Sequence, residues 1–497
     1  MAFNSTVTLI DTAHHSYDAA LLSDAYAAVA AWSRNIYGKG TIDIQITVSN
    51  TTSIGTANGG PAMSVGIGTD GSNTIYRGGA EHELLTGIDP NGSSPDIVIT
   101  IDPTFIDQYL FVDPDPAHPS ALPSNKMSAI QVLEHEIGHG LGITGFRDEN
   151  TGALSGAESP WDKLVHINAD GTANFVGVAA QAVYGGAVHV TTAHNAEQYF
   201  HLGSSASDPI ASDLMAGYAS PLGTRVDVSN VDLAILHDLG LQTFGSAGGV
   251  VLIDSLFYAQ TSPDVARAHA DPVAHYNQFG WHEYRDPNAY FSTAGYLAAN
   301  ASVLTAGTNP LTDYDQSGWK QGRDPSAAFD NELYLKNNPD VAQAGLDPLA
   351  HYLSSGQFEG RQIYAAIGPS ASFTHGSFDS EYYLLANPDV ARAALAAGGD
   401  TFAFAYNHYL SYGWHENRKA DAYFDPAYYL AHNPDVAAAH VDPLTHFDQF
   451  GWKEGRSPSA SFSTQAYLAA NPDVAAAHID PLTHYLQFGA DEGRHLA

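Results

Sequence analysis

The chain has 497 residues, no cysteine, and 54 acidic against 19 basic side chains, a net charge of −35. That length exceeds one ordinary core, so two or more domains are expected. The absence of thiols excludes disulfides, thiolate zinc sites and cysteine catalysis. The acidity spreads along the whole chain, with 26 acidic against 7 basic residues up to position 250 and 28 against 12 beyond it, so nucleic acid and anionic membrane are poor partners.

At 44% hydrophobic and 11% aromatic the composition is globular. No basic stretch followed by an apolar core opens the sequence, so no secretory signal peptide is expected. No apolar run approaches the ~18 residues of a membrane-spanning helix.

In chain order, residues 5–10 form a β-prone run, and residues 17–37 an Ala/Leu-rich helical pattern closed by Gly38. Residues 41–48 alternate apolar and polar, the strand signature, and residues 96–101 read as a second strand. Residues 128–141 read as a helix stopped near Gly142. The Gly/Ser-rich stretch 243–249 reads as a linker. The predicted layout is therefore an α+β domain over 1–245, a linker at 246–250 and an all-α repeat domain over 251–497, with 1–245 able to fold alone.

The repeats are visible directly. Phe424-Asp-Pro-Ala-Tyr-Tyr-Leu-Ala-His-Asn-Pro-Asp-Val-Ala and Phe462-Ser-Thr-Gln-Ala-Tyr-Leu-Ala-Ala-Asn-Pro-Asp-Val-Ala both continue into Asp-Pro-Leu-Thr-His. Six copies are read, starting near Phe257, Phe291, Phe329, Phe378, Phe424 and Phe462. Asn-Pro and Asp-Pro pairs place a capping side chain before a proline, the favoured opening of a helix. Each copy is thus two or three short helices, too small to bury its aromatic face without stacking on a neighbour. His275, His351, His408, His446 and His484 share one repeat position, where a packed or hydrogen-bonded role is expected rather than metal ligation. Trp281, Trp319, Trp414 and Trp452 are likewise expected to pack rather than to bind sugar.

The chemistry lies in His135-Glu136-Ile137-Gly138-His139. Two imidazoles four residues apart on a helix share one face and can bind one zinc. Glu136 can take a proton from a water on that metal without ligating it. With 24 histidines in the chain, about 0.03 such motifs arise by chance, treating the three positions as independent.

This helix resembles that of the metzincin clan of zinc peptidases, Gly142 matching the clan's turn. The commonest clan pattern has a third histidine three residues later, where this chain has Gly145. The sequence is more similar to the leishmanolysin-like branch, in which the third histidine lies far downstream, shortly before a methionine turn. Ser212-Asp213-Leu214-Met215-Ala216-Gly217-Tyr218 resembles that turn, and residues 228–241 the closing helix. The resemblance covers roughly residues 41–241. It implies a metzincin-like fold, with His135, His139 and His201 as zinc ligands, Glu136 as general base, and Tyr218 as a candidate oxyanion stabiliser. Asp148, Asp162, His166, His189 and His194 stay open as alternatives for the third ligand.

The repeats resemble helical modules at the ends of large secreted bacterial proteins. Leaderless, cysteine-free acidic chains with such tails resemble type I secretion cargo, which implies a secreted, extracellular enzyme exported without a signal peptide. Calcium is a second candidate ion beside zinc, although no Gly-Gly-x-Gly-x-Asp calcium repeat occurs. The expected function is zinc-dependent endopeptidase, with protein or peptide as substrate and a cell-surface or protein partner for the repeats. The competing readings are an adhesion protein with a vestigial peptidase domain and a cytosolic binding scaffold. Retained Glu136 weighs against the vestigial reading.

Overall fold

The alternating run at residues 41–48 forms the middle of a sheet in the computed structural model, which describes residues 3–50, 56–192, 199–218 and 222–496. Among those residues the chain forms β1 (Asn4–Asp11), α1 (Asp18–Ser33), β2 (Ile36–Tyr37), β3 (Thr41–Val48), β4 (Ala57–Pro61), β5 (Ser64–Asp70), β6 (Asn73–Gly78), α2 (Gly79–Thr86), β7 (Ile97–Ile101), α3 (Pro103–Tyr109) and α4 (Ala129–Gly140). Further on come α5 (Pro160–Leu164), α6 (Val178–Tyr184) and α7 (Asn230–Asp238).

The main sheet has the order β1-β3-β7-β4. β1, β3 and β7 run parallel, and β4 runs antiparallel to β7 at the edge. Parallel neighbours need a crossover, which α1 supplies between β1 and β3. Ile42, Ile44, Ile46, Ile97, Ile99 and Ile101 fill the buried positions of β3 and β7, and α4 packs beside them.

Two expectations change. The helix predicted over 17–37 stops at Ser33, and Ile36–Tyr37 pairs as a strand with Gln242–Thr243. The Asn35 side chain is committed beyond the helix: its Nδ2 donates to the carbonyls of Phe244 and Ser246. For the same reason 246–250 is a fixed turn rather than a loose linker. Gly249 N–H donates to Asn35 Oδ1, and Ala247 N–H to Asn230 Oδ1.

One compact unit comprises Met1–His275 with Leu353–Glu359, and the other Tyr276–Tyr352 with Gly360–Ala497. The sheet-bearing unit therefore runs past residue 245 and takes in the helices Ser255–Thr261 and Pro263–Arg267, both packed on α6. The second unit is helical among its described residues, apart from isolated β-bridges.

The repeat chemistry explains the recurring residues. A buried tyrosine hydroxyl is hydrogen-bonded to Nδ1 of the repeat histidine in five pairs: Tyr258–His275, Tyr334–His351, Tyr383–His408, Tyr429–His446 and Tyr467–His484, at 2.9–3.0 Å. In the second copy Asp313 takes the place of the histidine, 2.7 Å from Tyr296. The glycine at the next turn, such as Gly451, leaves room for the tyrosine hydroxyl, which a Cβ would strike. This pairing also moves the start of the first copy. Tyr258 is equivalent to Tyr429, so the position of Phe424 corresponds to Ile253 rather than Phe257. The four tryptophans are half-buried, each indole N–H bonded to the carbonyl four residues earlier. Arg361, Arg456 and Arg494 each close on the Asn-Pro-Asp of their own copy.

The helical unit carries buried acids that give its stability a pH dependence. Burial pushes Glu381 up to about 8, and Asp330 and Asp347 up to about 7. Acids raised in the native state give stability that is complete below about pH 4 and is lost as pH rises through 7 and 8. Arginine bonds hold Asp340, Asp435 and Asp473 down to about 2, and burial lowers His408 and His484. Those contributions are lost instead as pH falls. The helical signal of the full chain should therefore melt at progressively lower temperature as pH rises from about 6 to 8. Circular-dichroism melts that rise over that range contradict this.

Candidate metal centre

Helix α4 brings the first two histidines together. Ser128 caps its N-terminus by accepting the Gln131 N–H. Ala129, Ile130, Leu133 and Ile137 are buried in the core, and the Trp32 indole of α1 donates to the Glu134 carbonyl at 2.9 Å. Gly138 lies where a Cβ would press on Met215 Sδ at 2.5 Å, so the methionine forms an apolar floor beneath the helix between the two histidines. Gly140 similarly admits Ile97 of β7. The chain leaves the helix through Gly142 at φ +122°, a conformation that L side chains rarely adopt.

His201 arrives from a separate, locked segment. Its carbonyl accepts the Thr191 N–H, while Leu202 N–H donates to Met215 O and Gly203 N–H to His189 O. Leu202 thereby bridges the strand Val188–Val190 and the Met215 turn.

The three Nε2 atoms converge: 3.0 Å from His135 to His201, 3.1 Å from His135 to His139, and 3.1 Å from His139 to His201. His135 Nδ1 lies 2.7 Å from Leu214 O and His139 Nδ1 lies 2.7 Å from Ile143 O. A carbonyl only accepts, so each Nδ1 carries the proton and each Nε2 turns its lone pair to the common point. Burial holds His139 well below the usual histidine range. Nitrogens this close can all reach one ion at the ~2.0–2.1 Å of a Zn–N bond. These residues are positioned to hold a metal ion.

The centre lies in a cleft of about 520 Å³, lined also by Glu136, Gln131, Phe200, Tyr218 and the segment 56–59 that carries the start of β4. Glu136 is 7% exposed, and its Cβ lies so near Gly59 that no side chain fits there. On the opposite side of α4, burial pushes Glu134 up to about 8 against the opposing pull of Arg225, whose guanidinium is 3.0 Å away.

Of the alternatives for the third ligand, Asp148, Asp162 and His189 are occupied otherwise. Asp148 accepts from Asn150, Thr151 N–H and the Thr151 hydroxyl. Asp162 closes a capping box with Ser159 and accepts from Phe146 N–H, and a Cβ at Gly145 would collide with it. His166 is exposed on a short strand, and His189 pairs with Asp208 at 2.6 Å. His194 lies outside the described residues.

One part of the cleft was hidden in the sequence. Ala57-Asn58-Gly59-Gly60-Pro61 has the composition of a turn, yet it is the edge strand beside Glu136. The signal available was its two adjacent glycines, one of which the close approach of Glu136 requires.

No family model, curated protein or solved structure matches this chain.

Proposed function

We propose that the chain is a zinc-dependent endopeptidase with a metzincin-like catalytic unit of the leishmanolysin type. The observation that carries this is the convergence of three imidazole nitrogens beside Glu136 in one cleft. An all-imidazole, three-ligand set suits zinc and leaves a position open, the arrangement of catalytic rather than structural sites. The bound ion supplies Lewis acidity and lowers the pKa of water. Glu136 takes the proton of the attacking water and passes it to the leaving amine. The Leu214 and Ile143 carbonyls hold two of the imidazoles in the ligating tautomer.

The substrate class follows from β4. It is the edge strand of the sheet and its first residues line the cleft, so an extended peptide can add to it through main-chain hydrogen bonds and present a carbonyl at the centre. Tyr218, also in the cleft, is the candidate to stabilise the oxyanion. On the resemblance of its repeats, the enzyme acts outside the cell and the helical unit attaches it to a surface or protein partner.

The test is digestion of casein or an internally quenched peptide by the full chain. Cleavage should cease on treatment with 1,10-phenanthroline and return with zinc. A zinc-replete chain that cleaves no peptide, or cleavage indifferent to the chelator, rejects the proposal.

A further inference from the structure

A second group of candidate ligands lies around α2 and the loop that follows it. Glu83, near the C-terminus of that helix, Asp89 in the following loop, and Asp96 just before β7 each offer one oxygen, and these oxygens lie within 4.8 Å of one another. Glu83 is 5% exposed and Asp96 2%.

Each buried carboxylate uses one oxygen in the fold and leaves the other unpaired. Glu83 Oε1 accepts Thr41 N–H at 2.8 Å, and Asp96 Oδ2 accepts Asp43 N–H at 2.9 Å. Glu83 Oε2 and Asp96 Oδ1 are buried and have no hydrogen-bond partner, and neither does Asn91 Oδ1. The Asn91 amide is oriented by Nδ2 donating to Ser94 O and Pro95 O. Asp96 Oδ1 and Asn91 Oδ1 both lie beside Gly79, 3.4 and 3.6 Å from where a Cβ there would stand. Buried oxygens without donors cost free energy unless something positive meets them.

We propose that Glu83, Asp89, Asn91 and Asp96 form a binding site for a hard divalent cation of the calcium class. The donors are all oxygen, with three carboxylates and one amide, and none is nitrogen or sulfur, which selects calcium-like ions over zinc. Burial, with the neighbouring acids, raises Glu83 and Asp96, as expected where carboxylates face one another without a counter-charge. The acidic group Asp324, Asp330 and Glu332 differs, because Asp330 spends both oxygens on the N–H groups of Leu333 and Ile367.

The bound ion tethers three elements. Through Glu83 it holds α2 and the start of β3. Through Asp96 it holds the start of β7, whose Ile97 lies under Gly140 of the histidine helix. Through Asp89 and Asn91 it holds the loop between α2 and β7. The site is structural, and it stands whether or not the histidine centre proves to be a peptidase.

The full chain, stripped with EGTA and returned to calcium-free buffer, is titrated with calcium chloride by calorimetry and followed by thermal unfolding. At a calcium concentration a hundred times Kd, the melting midpoint of the sheet-bearing unit should rise by about 5–10 °C. Glu83→Gln combined with Asp96→Asn retains both backbone acceptors and should lose the calcium heat and the shift. Should that variant fail to fold, Asp89→Asn, on an exposed side chain, is read instead and should weaken calcium at least about tenfold. Absence of heat and shift in the unaltered chain overturns the site, as does a substituted chain that binds calcium as the original does.

Discussion

Glu136→Gln should leave the chain folded and able to hold zinc while abolishing peptide hydrolysis. Glutamine keeps the size and shape of the side chain packed against Gly59, so the cleft and helix α4 are undisturbed. The histidine nitrogens are untouched, and their Nδ1 protons still go to Leu214 O and Ile143 O. What disappears is a carboxylate able to accept a proton. The loss in kcat/KM should be at least the ~10²–10⁴-fold typical of a general base, with metal content and melting midpoint unchanged. Wild-type turnover in this variant would remove Glu136 from the mechanism.

His201→Ala should act differently, through the ion itself. Two histidines from one helix leave zinc short of the three protein ligands of a catalytic site. The loss of affinity should exceed the ~10–100-fold that removing a supporting hydrogen bond costs, and activity should disappear with the metal. The segment around residue 201 is held by main-chain bonds to Thr191, His189 and Met215, none of which uses the imidazole, so the fold should persist. His189→Ala is the control. That side chain pairs with Asp208 away from the centre, and its removal should leave zinc affinity and turnover close to wild type. The reverse pair of outcomes excludes His201 as a ligand.

The parts legible in the sequence were those written in local pattern. The alternation in residues 41–48 and the His-Glu-x-x-His spacing each determine a geometry within one element, and β3 and α4 follow them closely. The repeat tyrosines and histidines were visible as recurrences, and an expectation of hydrogen-bonded packing needed no three-dimensional information. Long-range relations were harder to read. β4 looks like a turn because its Gly59 answers to Glu136, a residue 77 positions away. Residues 246–250 look like a linker because they are mostly small, whereas the Asn35 side chain, about 210 positions earlier, holds Ser246 and Gly249 in place. The end of α1 was missed for the same reason, since Ile36 and Tyr37 are claimed by a strand more than 200 residues later. The acidic group around Asp96 gave no motif, because its carboxylates come from a helix, a loop and the residue before a strand.

His135, His139 and His201 are proposed to hold one zinc ion together. Zinc-edge anomalous scattering from crystals of the full chain measures this directly. One strong peak is expected about 2.0–2.1 Å from all three Nε2 atoms, beside Glu136 in the cleft. A peak bonded to His135 and His139 but not to His201, or no peak at this centre in zinc-saturated crystals, would contradict it.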